Sequence, residues 1–135
     1  MARTVAQSLS IRHLRGVTET AAPERAPSER TIAITGGDAA YFDLMRDCIE
    51  SLQASGEGQA LALAVLDCGL TEAQREWCRE RGAILVVPQW DFDFPGRDAL
   101  KDGYKALTAR PFLPRYFPGF DLYLWIDGDC WVQQG

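Results

Sequence analysis

Histidine occurs once in 135 residues, as His13, and the four cysteines, Cys48, Cys68, Cys78 and Cys130, carry no metal-site spacing. A zinc site is therefore not expected, and a cysteine nucleophile would find no histidine base in the body of the chain. Positive charge is also scarce: 14 Lys plus Arg face 19 Asp plus Glu, for a formal charge of −5. Binding to a phosphate backbone needs a dense Lys and Arg surface, so nucleic acid is not an expected partner, whereas a small anionic ligand is still allowed. No apolar run reaches the roughly 18 residues of a membrane-crossing helix, so no transmembrane segment is expected. Neither a Gly-x-x-x-x-Gly-Lys loop nor a Gly-x-Gly-x-x-Gly turn occurs, which removes the ATPase and dinucleotide-binding readings.

What is present, 47% hydrophobic and 24% charged residues, describes one globular domain. Charge divides the chain. Residues 1–30 hold five Arg against three Glu, and the remainder nine basic against sixteen acidic residues. The first segment ends in a stretch rich in Ala, Pro, Glu and Arg with few large apolar side chains, and reads as a flexible tail preceding a domain over residues 31–135. Gln7, Arg12, His13 and Arg15 interrupt the stretch that a secretory signal would need to be apolar, so the expected location is cytoplasmic, with reduced thiols. An Arg-rich start without an acid before Glu19 leaves an organelle presequence as the alternative.

From Thr31 the chain alternates strands and helices. Thr31 to Thr35 reads as a buried strand stopped by Gly36-Gly37, and Asp38 is placed to cap the helix that follows. Phe42, Met45, Ile49 and Leu52 recur at helical spacing, and Gly56 and Gly58 end that helix. Ala60 to Asp67 is continuously apolar, as expected of a strand covered on both faces. Thr71 and Gln74 form a capping box for a second helix that Gly82 closes. Ala83 to Val87 reads as a third buried strand stopped by Pro88. A loop from Gln89 to Gly96 leads to a helix through Ala99, Leu100, Tyr104 and Leu107, and Leu122 to Ile126 forms a fourth strand. The expected architecture is α/β, a mostly parallel Rossmann-like sheet with flanking helices. Such sheets bind ligands beyond the carboxyl ends of their strands, where Gly36 to Tyr41, Asp67 and Asp127 to Asp129 fall.

An Asp-x-Asp pair can hold Mg²⁺ or Mn²⁺ against a diphosphate, because two hard carboxylates suit these cations and the metal neutralises phosphate oxygens. With 11 aspartates in 135 residues, about one such pair is expected by chance, so position must decide. Asp91-Phe92-Asp93 lies in a loop with Trp90 and Phe94 and reads as loop packing. Asp127-Gly128-Asp129 follows a strand directly, with a glycine that lets a phosphate approach the backbone. Its competing reading is a polar turn in which both acids only cap backbone N–H groups.

Several stretches together resemble a family-8-type glycosyltransferase of the GT-A fold. Ile32 to Thr35 with Asp38 and Tyr41 is similar to the family's first strand and uridine-binding loop, and Leu63 to Glu72 to its second strand and helix. Ala109-Arg110-Pro111-Phe112-Leu113 is similar to its Arg-bearing helix, and Leu122 to Val132 to its metal-binding signature. The resemblance implies that Asp127 and Asp129 hold Mn²⁺ or Mg²⁺ on the diphosphate of a nucleotide-sugar donor, a UDP-sugar being favoured. It further implies that Arg110 and Gly128 border the donor, that Tyr41 stacks on the base, and that Asp38 accepts from the base N–H. A surface arginine and a core aromatic are the competing readings of Arg110 and Tyr41. The sugar would pass to an unknown sugar, lipid or protein acceptor with retention of configuration. The family's acceptor site and a metal-completing histidine belong to a further half, so the chain resembles the donor-binding half of an enzyme. A noncatalytic nucleotide-sugar-binding or interaction domain is the alternative. A haloacid-dehalogenase-type phosphatase is a further one, disfavoured because its nucleophilic Asp follows a first strand.

Overall fold

The computed structural model describes residues 30–133; the tail expected over residues 1–30 lies outside them apart from Arg30. Strand β1 (Thr31–Gly37) is central and parallel to all its neighbours in a four-stranded sheet of order β3-β2-β1-β4. Ile32 and Ile34 face one helical layer together with Ala64 and Leu66 of β2 (Ala62–Asp67), while Ala33, Leu63 and Val65 face the other. Both faces of β1 and β2 are therefore covered, which is why their sequences do not alternate with polar residues. The strand expected to stop at Thr35 runs on through Gly36 and Gly37, paired with Leu66 and Asp67. Close approach explains the first glycine: a Cβ on Gly36 would lie 2.9 Å from the Leu66 Cβ and 3.4 Å from Trp125.

Helix α1 (Phe42–Ala54) buries Phe42, Met45, Cys48, Ile49 and Leu52 on one face. With Cys78 of α2 (Glu72–Glu80) it forms the layer over Ala33, Leu63 and Val65. The Thr71–Gln74 capping box is complete, and Gly82 follows the helix with φ of 77°. Strand β3 (Ile84–Val86) corrects the expectation of a third buried strand. Among the described residues it pairs only with β2, and Ile84 is 44% exposed, because an edge strand has a neighbour on one side alone.

The helix expected from Ala99 begins only at α3 (Lys105–Ala109). Before it, Arg97–Ala99 and Asp102–Tyr104 are separate 3₁₀ turns joined by extended backbone at Leu100 and Lys101. Leu100, Tyr104 and Leu107 have helical spacing but are exposed, and without a buried face a short helix is not stabilised. Ala106, Ala109, Leu113 of α4 (Leu113–Tyr116) and Phe117 close the second layer over Ile32 and Ile34. The chain then reaches β4 (Leu122–Trp125), on the far side of β1 from β2. Strand order thus reverses at β1: the crossover leaving it runs over one face, and the crossover arriving at β4 runs over the other.

Asp67 ends β2 and is 3% exposed. Its Oδ1 accepts from the N–H groups of Gly69 and Leu70 at 3.0 and 2.7 Å, and its Oδ2 from Arg75 Nε at 2.5 Å. Burial pushes this carboxyl up, but the Arg75 hydrogen bond and the two backbone donors outweigh it and hold the group below the usual range. A folded value below the unfolded one near 3.9 means that the stabilising share is complete above about pH 4 and is lost as pH falls through the folded value. Asp67→Asn should cost about 1–3 kcal/mol at pH 7 and flatten the acid limb of stability plotted against pH. Equal acid slopes for the two proteins in urea unfolding would count against this account.

Candidate functional site

A cleft of about 480 Å³ opens over the carboxyl ends of β1 and β4, with Asp38, Tyr41, Arg110, Trp125 and Asp127 among its lining. Open α/β sheets characteristically bind ligands where their strand order reverses. The loop leaving β1 forms one wall, the 3₁₀ turn Asp102–Tyr104 and α3 form another, and the end of β4 closes the floor.

The first wall is built from backbone constraints. Asp38 Oδ1 accepts from the N–H groups of Ala40 and Tyr41 at 3.1 and 3.0 Å, an Asx-type turn that sets the chain up for α1. The cap expected from Asp38 thus acts just before the helix, on the turn rather than on the first helical N–H groups. The wall is braced from behind: Ala39 N–H donates to the Gly69 carbonyl at 3.1 Å, and Gln74 Nε2 donates to the Ala39 carbonyl at 3.2 Å. Asp38 Oδ2 makes no hydrogen bond among the described residues and lies 3.5 Å from where a Cβ on Gly103 would sit.

Tyr41 packs over Gly37, where a Cβ would come within 3.0 Å of its ring, and against Gly128, where a Cβ would come within 2.9 Å. Burial, followed by the charges of Asp129, Asp127 and Cys130, pushes its phenol above the ordinary value, and the Asp129 backbone N–H pulls it part of the way back. Both acids of the Asp-Gly-Asp motif are therefore electrostatic neighbours of one hydroxyl. The motif turn is anchored to α1, with the Cys48 thiol donating to the Asp127 carbonyl at 3.7 Å and Val132 N–H donating to Ser51 Oγ at 2.9 Å. Gly128 is buried against Tyr41 and the Met45 backbone, so close packing on α1 accounts for glycine between the two acids.

Neither acid is sealed in. The Asp127 side chain is 53% exposed and Asp129 is exposed. Asp127 Oδ1 accepts from Arg110 Nη2 at 2.6 Å and from Trp125 Nε1 at 2.7 Å, while the guanidinium lies 4.5 Å over the Trp125 ring. Among the described residues no group of three or more His, Cys, Asp or Glu side chains converges. A cation at Asp127 and Asp129 would thus take its remaining ligands from water or a bound anion, as Mg²⁺ usually does at substrate phosphates.

No family model and no curated protein matches the sequence. Among solved structures, the chain is similar to the galactosyltransferase LgtC in complex with donor and acceptor sugar analogues, with a TM-score of 0.56 at 24% identity over 76% of this chain and 39% of that one. An active-site mutant of LgtC gives a TM-score of 0.55 with the same identity and coverage. The likeness shows the fold: a four-stranded all-parallel α/β sheet with flanking helices that matches part of the GT-A fold. The chain spans 39% of the length of LgtC.

Of the residues singled out from sequence, Asp38, Tyr41, Arg110 and Asp127 line the one cleft; Asp129 and Gly128 lie on the turn beside it. Asp67, expected at the same rim, is consumed by its own turn and by Arg75. Asp91 is packed in its loop, with Arg115 and the Tyr116 hydroxyl on a side chain 2% exposed. Sequence reasoning missed Lys101, Tyr104 and Trp125. The last had a signal, since two residues before Asp127 on a strand places Trp125 on the same side as the acid. Gly128→Ala should cost about 1–3 kcal/mol by forcing Tyr41 or α1 to move, seen as a lower urea midpoint. An unchanged midpoint would show the turn to be less tightly packed than described.

Proposed function

We propose that this chain is the donor-binding part of a metal-dependent glycosyltransferase, which binds a nucleotide-diphosphate sugar, with a UDP-sugar favoured, and passes the sugar to an acceptor. The observation that carries the reading is the meeting of Asp38, Tyr41, Arg110 and Asp127, drawn from distant parts of the sequence, in one cleft at the strand reversal. The fold shared with LgtC, whose structure holds donor and acceptor sugar analogues, supports it.

The residues divide the work by chemistry. Asp127 and Asp129 offer hard oxygen ligands for Mn²⁺ or Mg²⁺, and the Arg110 guanidinium on Asp127 Oδ1 is a cation already accepted at that carboxylate. When bound, such a metal offsets the charge that develops on the departing nucleotide diphosphate. Arg110 lines the cleft, and its planar guanidinium suits phosphate oxygens. With Oδ1 spent on its own turn, Asp38 keeps Oδ2 to accept from a base N–H. Tyr41 borders that position and packs on Gly37 and Gly128, between the first loop and the motif turn. Donor binding without transfer is the second reading, since each cleft group named here has a binding role.

Calorimetry of UDP and a UDP-sugar with Mn²⁺, then with EDTA, tests the proposal. Binding should require the metal, and Asp127→Ala or Asp129→Ala should weaken it at least tenfold, roughly the 1.4 kcal/mol of one lost charge-assisted contact. Equal binding in EDTA would sink the metal-bridged reading. Release of UDP from the sugar nucleotide would favour an enzyme over a binding module.

A further inference from the structure

The contacts of Arg110 differ from those of an arginine that merely lines a ligand site. Its Nη2 sits 2.6 Å from Asp127 Oδ1, and Trp125 Nε1 donates to that same oxygen at 2.7 Å. The guanidinium plane is steadied by the Trp125 ring, 4.5 Å away, a cation–π contact that orients it without consuming any of its N–H groups. At the same time its Nε is buried and has no hydrogen-bond partner among the described residues, a costly state for a donor. The pair with Asp127 does nothing for this atom. Only a guanidinium that turns away from Asp127 can bring this N–H to an anionic oxygen in the cleft.

Formal charge sharpens the point. Asp127 and Asp129 contribute two negative charges and Arg110 one positive, so a divalent cation alone would leave the group positive. A further cation, Lys101, and a further carboxylate, Asp38, also line the cleft, neither with an ion pair among the described residues, and they offset each other. Only an anion entering with the metal turns the balance favourable. The Arg110–Asp127 pair is itself too exposed, at 38% and 53%, to matter much for stability. It is therefore free to exchange.

We propose, building on the donor-cleft reading above, that Arg110 is an exchangeable counter-ion. Without ligand it neutralises Asp127 in place of the metal, and an arriving diphosphate draws its guanidinium away, so that cation and diphosphate bind with positive coupling. Coupling of this kind is reciprocal: whatever the diphosphate adds to metal affinity, the metal adds to diphosphate affinity. Arg110 on this account serves Asp127 and the diphosphate in turn, and its removal has opposite effects on the two halves of the ligand. Loss of the guanidinium leaves Asp127 open to a bare cation but deprives the diphosphate of its partner. A purely structural arginine would weaken both.

The test is a Mn²⁺ titration followed by the electron paramagnetic resonance signal of the free aquo ion, with and without UDP, on the wild-type chain, Arg110→Ala and Arg110→Lys. At low ionic strength Arg110→Ala should bind Mn²⁺ alone roughly threefold tighter or better, yet bind Mn²⁺ in the presence of UDP roughly tenfold more weakly. Arg110→Lys, which keeps the charge, should stay within about twofold of wild type for Mn²⁺ alone. Thermal unfolding of each variant checks folding, and Arg110→Gln replaces the alanine variant if that one does not fold. Mn²⁺ affinity in the neutral variant equal to or below wild type without UDP overturns the counter-ion role while leaving the donor cleft intact. A wild-type chain that takes up no Mn²⁺ even with UDP overturns the donor cleft itself, and the counter-ion with it.

Discussion

The reversal of strand order at β1 is the constraint on which the rest of the molecule depends. With β2 on one side and β4 on the other, the crossover that leaves β1 and the one that reaches β4 must cover opposite faces, because parallel crossovers share one hand. Their ends part above the two strands, and the gap between them is the cleft. No side chain in the cleft creates it. The glycines at the end of β1 permit it, since Gly36 lets β2 and Trp125 close in around the central strand where any Cβ would collide.

On that frame the charges fall into two kinds. Asp67 and Asp91 are buried and fully employed, each holding backbone or hydroxyl donors together with an arginine, and their removal is a matter of stability. Asp127 at the cleft and Asp129 on the turn beside it are exposed, and the partners of Asp127 orient it without hiding it. The distinction follows from desolvation. A carboxylate taken out of water must be matched on the spot, whereas one left in water is available to a ligand.

Much of the architecture was legible because local signals agreed with the tertiary outcome. The apolar runs of β1 and β2, the Phe42–Met45–Ile49–Leu52 face of α1 and the Thr71–Gln74 capping box each reflect chemistry confined to neighbouring residues. The misjudged segments depend on partners far away in sequence. Whether Ile84 is buried turns on where β3 lies in the sheet, and whether the segment through Leu100 and Tyr104 joins the helix turns on whether anything covers it. For the cleft, the motif acids and Arg110 stood out by residue type. The buried employment of Asp67 did not, because an acid at the end of a strand reads the same whether it serves a ligand or its own loop.

Gln74 carries a consequence of its own. Its side chain closes the capping box of α2 and, with the other end of the same amide, grips the Ala39 carbonyl behind the cleft wall. A helix that contributes no atom to the cavity thereby sets the stance of Asp38. Drift in the sequence of α2 can retune what the cavity accepts while every residue that touches the occupant stays the same.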